Sequence, residues 1–153
     1  MSKPEFVYVT YIETTPEKLW QALTDTEFSK LYWFGTEVRS DWKVGSSFAL
    51  VTDGITSDTG EILVSDPPRQ LAYTFRHARY EEMRDDGATK VTFTIEPHGG
   101  IVKLTVTHQG FAAGSKLLGA VSNGWPAILS GLKSLLETGH AVAIPMEALG
   151  KVK

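Results

Sequence analysis

Apolar residues recur with a helical period in one part of this chain and alternate in another, and the two patterns fit each other. In Gly124–Gly139, GWPAILSGLKSLLETG, the residues Trp125, Ile128, Leu129, Leu132, Leu135 and Leu136 fall at i, i+3, i+4, i+7, i+10 and i+11. That spacing is the single stripe of an amphipathic helix. Ser130, Lys133, Ser134 and Glu137 take the opposite face, and Gly139 suits the left-handed turn that ends a helix. Upstream, Leu71, Tyr73 and Phe75 share one parity, as do Val91, Phe93 and Ile95, and then Val102, Leu104 and Val106. A period of two puts each set on one face of a strand. Such half-buried strands need a cover, and a helix with so wide an apolar face needs a floor.

The rest of the chain supplies the frame. Glu5–Glu13, rich in Val, Tyr, Phe, Thr and Ile, reads as a strand. Thr15-Pro16-Glu17 then offers a cap residue, a proline for the first helical position and an acid near the positive helix end. Leu19, Trp20 and Leu23 form the buried edge of that short helix, and Asp25–Leu31 adds a second. Strands follow near Thr36–Ser40, Ser47–Thr52, Asp58–Ser65, Gln70–His77, Thr89–Glu96 and Ile101–His108. The breaks between them, such as Asp53-Gly54, Asp66-Pro67-Pro68 and His98-Gly99-Gly100, carry turn chemistry, and connections this short make antiparallel neighbours. The order predicts an α+β helix-grip architecture, a curved antiparallel sheet of about seven strands wrapped around a long C-terminal helix, with two short helices after the first strand. A single domain is expected over 1–153, with its core at about 5–139. The tail 140–153 stays unassigned, its apolar Val142, Ile144, Met146 and Leu149 able to cover either this core or a neighbouring subunit.

Composition narrows the possibilities by exclusion. A net charge of −3 with no long run of one sign argues against nucleic acid, whose phosphates select clustered Lys and Arg. Zero cysteines exclude disulfides, thiolate metal sites and a thiol nucleophile, and suit a reducing cytoplasm. The N-terminus MSKPEFVYVTYIE lacks the apolar core of a signal peptide, and no segment approaches the roughly 18 apolar residues of a membrane span. The expectation is a cytoplasmic domain acting neither on nucleic acid nor in a membrane.

Three segments then carry a family resemblance. IETTPEKLWQALTD, TGEILVSDPPRQLAYTF and GWPAILSGLKSLLETG resemble the SRPBCC (START-like, Bet v-like) superfamily, and most closely its branch similar to the C-terminal domain of the activator of heat-shock protein 90 ATPase. The resemblance spans roughly residues 5–139. It implies a deep apolar cavity between sheet and long helix that binds hydrophobic molecules. It also implies kinship with a few cyclases, aromatases and hydrolases. The chaperone activator has an additional N-terminal domain, for which 153 residues leave no room.

Candidate chemistry gathers on the concave side. His77 extends the parity of Leu71, Tyr73 and Phe75, and His108 that of Val102, Leu104 and Val106, so both point inward. With one strand between them, their backbones are expected at one rim, about 10 Å apart. They can grip a polar head group or serve as acid and base; equally, each can be a strand-end residue bonded to backbone or water. The expected cavity wall comprises Trp33, Phe48, Leu50, Ile62, Tyr73, Phe75, His77, Val91, Phe93, Leu104, Val106, His108, Trp125, Leu129 and Leu132. Trp33, beside Tyr32 and Phe34, reads either as an aromatic gate or as ordinary packing. The mixed charges Arg76, Arg79, Tyr80, Glu81, Glu82 and Arg84 read as a solvated hairpin, and Trp42-Lys43-Val44-Gly45 as a structural turn. No cofactor or metal is expected, because two distant histidines without a nearby carboxylate or thiol are too few ligands. Nor does the chain contain the Gly-x-Ser-x-Gly elbow of a serine hydrolase.

The expected partner is a small hydrophobic or amphipathic molecule. Burying about 300 Å² of apolar ligand surface yields roughly 7.5 kcal/mol, of which association removes at least about 4, so an apolar contact alone binds weakly. A polar anchor is needed, and His77, His108 and Tyr73 are placed to supply one. Two other readings stand beside the binder: an enzyme using the rim histidines, and a module that engages a chaperone.

Overall fold

The structure, a computed structural model, describes residues 5–78, 87–142, 144 and 145. The elements run β1 (Glu5–Ile12), α1 (Pro16–Thr24), α2 (Thr26–Tyr32), β2 (Glu37–Ser40), β3 (Ser47–Thr52), β4 (Ile55–Asp66), β5 (Gln70–His77), β6 (Thr89–His98), β7 (Ile101–Gln109) and α3 (Lys116–Thr138). The strands form one seven-stranded sheet in the order β1-β7-β6-β5-β4-β3-β2, every pair antiparallel. A meander runs from β2 to β7, and β1 returns to the far edge beside β7. The charged hairpin residues Arg79, Tyr80, Glu81, Glu82 and Arg84, and Met146 and Leu149 of the tail, lie outside the described residues.

Local chemistry sets the boundaries. The Thr15 hydroxyl accepts the Lys18 N–H at 3.2 Å with Pro16 opening α1, and Asp25 ends α1 while its carboxylate accepts the Glu27 and Phe28 N–H groups that begin α2. Asp53 and Gly54, at φ 52 and 78, make the two-residue turn that lets Thr52 pair with Ile55. The alternating residues of β5, β6 and β7 are buried as a set, and α3 packs on β1, α2 and α1 to close the core above them. No helix among the described residues is long and apolar enough to cross a membrane.

Strand β4 begins at Ile55 and β6 runs on to His98, and the long helix departs furthest from the sequence reading. The long helix begins at Lys116 rather than Gly124, with the Ser115 hydroxyl accepting the Leu118 N–H at 3.1 Å. Gly119, Asn123 and Gly124 are weak helix formers, and Pro126 forgoes a helical hydrogen bond, so local preference speaks against helix there. Tertiary burial overrides it: Leu117, Val121 and Trp125 at i, i+4 and i+8 continue the apolar stripe backward, with Leu117 and Trp125 buried. The added segment is the part of α3 that walls the site.

Candidate functional site

The site starts from a shift of register in the sheet. At the Asp66–Gln70 end of the β4–β5 hairpin, Val64 pairs with Ala72; beyond a bulge between Ile62 and Val64, Ile62 pairs with Tyr73 and Asp58 with His77. Were Leu63 paired in the ladder in place of this bulge, Asp58 would face Ala78 instead. Gly60 permits the close approach of the two strands, since a Cβ there would lie 1.8 Å from the Thr74 carbonyl oxygen. The result is a buried acid–imidazole pair: His77 Nδ1 lies 2.9 Å from Asp58 Oδ1, and the Ser57 hydroxyl donates to Asp58 Oδ2 at 2.8 Å. An ionised carboxylate can only accept, so Nδ1 carries the proton in this bond.

Around the pair is a pocket of about 220 Å³ between the strand ends and the first half of α3. Its walls are Trp33, which caps α2; Leu50 of β3; Asp58; Phe75 and His77 of β5; and Leu117, Ala120, Val121, Gly124, Trp125 and Ile128 of α3. Trp33 and Trp125 meet at a centroid distance of 5.4 Å, tilted by 59°. Trp33 thus both borders the pocket and packs against its neighbour. Apart from Asp58 and His77, the wall is apolar or aromatic.

The two histidines do not share a rim. Tyr73 pairs with Val91, and Val91 with His108, so His108 is level with the middle of β5. Strand β6 starts at Thr89 opposite Phe75, which leaves His77 projecting past β6, four residues or about 13 Å of strand beyond Tyr73. His108 is fully buried and wired internally. Trp125 Nε1–H donates to His108 Nδ1 at 3.1 Å, His108 Nε2 lies 2.7 Å from the Thr89 hydroxyl, and that hydroxyl donates to the Phe75 carbonyl at 2.8 Å. With Nδ1 accepting, Nε2 holds the proton and the ring is neutral. Burial lowers its pKa from 6.5 to about 3. This ring is a strut behind the pocket wall.

Of the residues expected to line a cavity, Trp33, Leu50, Phe75, His77 and Trp125 border the pocket. Phe48, Ile62, Tyr73, Val91, Phe93, Leu104, Val106, His108, Leu129 and Leu132 are packed into the core instead. The reason is the density of rings on the concave face. Phe48 stacks on Tyr73 at 3.9 Å, Tyr73 meets Phe93 at 5.8 Å, and Phe93 meets Trp125 edge-on at 5.9 Å. These rings fill the middle of the space that a deep cavity would need. Burial, with the Tyr32 and Asp58 charges adding to it, holds the Tyr73 phenol well above its ordinary pKa, so it stays protonated. Asp58, Leu117, Ala120, Val121, Gly124 and Ile128 complete the wall without having been expected there. The parity of Asp58, Gly60 and Ile62 places Asp58 on the inner face of β4, a signal present in the sequence; its pairing with His77 depends on the bulge. Among the described residues, no three of His, Cys, Asp and Glu come together as metal ligands.

Comparison with known proteins agrees with this architecture. The family model described as activator of Hsp90 ATPase homolog 1-like protein matches residues 13–137. No curated protein matches the chain. Among solved structures, the crystal structure of protein MLL2253 from Mesorhizobium loti is 28% identical, with 87% of this chain and 96% of that one covered at a TM-score of 0.75. The solution structure of the Aha1 dimer from Colwellia psychrerythraea is 20% identical over 89% of this chain and 98% of that one, at a TM-score of 0.73. The HSP90 activator PFC0360w from Plasmodium falciparum is 23% identical over 86% and 95%, at a TM-score of 0.72. The last two are similar in fold.

Proposed function

From the premise that this chain belongs to the activator of Hsp90 ATPase homolog 1-like family, we propose that it binds a small, mostly apolar compound in the pocket between α3 and the β3–β5 strand ends. The observation that carries this reading is an apolar-walled space of about 220 Å³ with one buried polar pair in its wall. Size restricts the occupant. A cavity of about 150 Å³ accepts benzene, and drug-sized ligands occupy about 300–1,000 Å³. The space therefore suits one substituted ring rather than a fused polycycle.

The test is a screen of single-ring compounds by ligand-observed NMR, against wild type and Gly124→Leu. A Cβ at Gly124 meets nothing within 4 Å, so a leucine there grows into the pocket. Binding by the wild type and its loss in a folded Gly124→Leu variant are expected. A panel that binds neither protein, or both equally, refutes the pocket as the binding site.

A second reading draws on the family and on a separate surface. Val7, Val9 and Tyr11, on one face of the edge strand β1, are 50%, 46% and 51% exposed. An apolar strip of this kind suits a protein contact, and the family name points to a chaperone as the partner. Stimulation of an Hsp90 ATPase by the isolated chain, and its loss in Val9→Glu, supports it; no stimulation removes it. Both readings suit a reducing cytoplasm, where a chain without cysteine has nothing to oxidise to disulfide.

A further inference from the structure

We propose that the open edge of β1 pairs with β1 of a second copy of this chain, antiparallel about a two-fold axis, so that two sheets join into one. This goes beyond the pocket, which lies toward the other edge of the sheet among β3, β4 and β5, and does not depend on a ligand there.

The two edges of the sheet are finished differently. An uncovered edge offers a row of unpaired N–H and C=O groups, and proteins blunt such edges or use them. At the β2 edge, α2 does the blunting: the Thr26 hydroxyl donates to the Val38 carbonyl at 2.7 Å, and the Val38 N–H donates to the Ser29 hydroxyl at 3.0 Å. At the β1 edge, α3 covers only the end of the strand, where Lys133 Nζ takes the Tyr11 carbonyl and the Glu137 carboxylate takes the Glu13 N–H. The Lys133 contact also fixes which backbone groups face outward. Tyr11 turns away from β7, and in an antiparallel ladder alternate residues turn the same way. Val9 and Val7 therefore present both N–H and carbonyl at the open edge, and among the described residues nothing is bonded to them there. The strand contains no proline, no lysine and no bulge against β7, the usual devices that keep an edge from pairing.

The occupant is a second copy because the strand is complementary to itself. With Val7 opposite Val9 of the second copy, each copy's free N–H groups and carbonyls meet the other's, and the α3 caps on Tyr11 and Glu13 stay in place. The outer faces then merge Val7 and Val9 from both copies, side chains that are 50% and 46% exposed in the single chain. On the inner face, Tyr8 is half-buried and stacked on Phe6 at 6.4 Å, and it meets Tyr8 of the second copy across the axis as an aromatic cross-strand pair. At each end, Glu5 of one copy arrives opposite Tyr11 of the other, beside the Lys133 ammonium. Neighbouring registers lose this fit. Val9 opposite Val9 sets Glu5 against Glu13 and needs the Tyr11 carbonyl that Lys133 holds; Val7 opposite Val7 sets Val9 against Glu5. The two-fold contact closes on itself and stops at a dimer.

Sedimentation velocity of the full chain from about 1 to about 500 µM tests this, with a reversible monomer–dimer equilibrium expected. Val9→Pro removes an N–H that faces solvent in the monomer and is needed in the dimer, so association should weaken at least about tenfold while the monomer stays folded. If Val9→Pro does not fold, Val7→Lys puts a charge into the merged strip and takes its place. Crosslinking reads the register, with no native cysteine to interfere. Tyr8→Cys faces itself across the axis at about 4.5 Å between Cα atoms and should give a disulfide-linked dimer under mild oxidation. Val9→Cys, diagonal to itself at roughly 7–8 Å, should not. A chain that stays monomeric throughout overturns the pairing and leaves the outer strip to a chaperone. A dimer that survives in the folded edge variant, or links through Val9→Cys and not Tyr8→Cys, overturns it as well. The pocket reading stands in every case.

Discussion

Trp125 depends on a neighbour that never touches the pocket. Its indole N–H is held by His108 Nδ1, and His108 is in turn held by the Thr89 hydroxyl. The wall therefore stays in place only while the imidazole is neutral, since a protonated Nδ1 would present a second donor to the indole. The folded ring has a pKa of about 3, whereas an unfolded histidine titrates near 6.5. Between those values the unfolded chain holds a proton that the folded chain lacks, so the free energy of unfolding rises with pH across that window. The contribution of His108 is complete above about pH 6.5 and is lost as the solution is acidified toward about pH 3, by up to roughly 1.4 kcal/mol per pH unit. His108→Gln should lower stability at pH 7 and flatten this slope. Urea unfolding midpoints of wild type and variant, measured from pH 7 to pH 4, check it: the two curves should converge on acidification, and parallel curves would show that the ring is not buried neutral.

At the scale of elements, the pairing of β4 with β5 governs the candidate site. Gly60 faces the Thr74 carbonyl so closely that any Cβ must push the two backbones apart. Gly60→Ala is expected to cost roughly 1–3 kcal/mol by overpacking, and to move Asp58 away from His77. Loss of chemical-shift coupling between the Asp58 and His77 side chains would accompany the lower unfolding midpoint. An unchanged midpoint would mean that the strands do not approach as described. This pairing also marks where sequence reading stops. Alternation in β5, β6 and β7 was legible because each strand has one buried face, and period two records which. The helix stripe of Ile128, Leu129 and Leu132 was legible for the same reason at its own period. Register was not: one extra residue in β4 changes which side chains meet, and nothing in Glu61-Ile62-Leu63-Val64 announces a bulge. The first half of α3 was hidden by Gly119, Asn123, Gly124 and Pro126, whose local preferences lose to burial of Leu117 and Trp125. The interior was misjudged in volume, because parity gives the direction of an aromatic ring and not the depth to which it fills the space.

Across the whole molecule, α3 is held unevenly. Its last turns are fastened to the N-terminal edge of the sheet: Lys133 Nζ donates to the Tyr11 carbonyl at 2.6 Å, and the Glu137 carboxylate accepts both the Glu13 N–H at 2.9 Å and Lys133 Nζ at 2.7 Å. Those bonds, the side-chain bond to Lys133 first, lower the pKa of Glu137. The first turns begin at the Ser115 cap, contain two glycines, and border the pocket through Leu117, Ala120, Val121 and Gly124. A helix propagates by cooperation with its neighbours, and a half with weak propensity over an unfilled space opens at lower free energy than a half docked on strands. Amide hydrogen exchange should therefore run at least about tenfold faster over 116–124 than over 127–136, the equivalent of roughly 1.4 kcal/mol. A compound that fills the pocket supplies the missing floor, so saturation should slow exchange in 116–124 and leave 127–136 nearly unchanged. That contrast ties the binding site to the element over it: protection spread evenly along α3 would indicate general stabilisation, and protection confined to β1 would move the binding event to the exposed strip at Val7, Val9 and Tyr11.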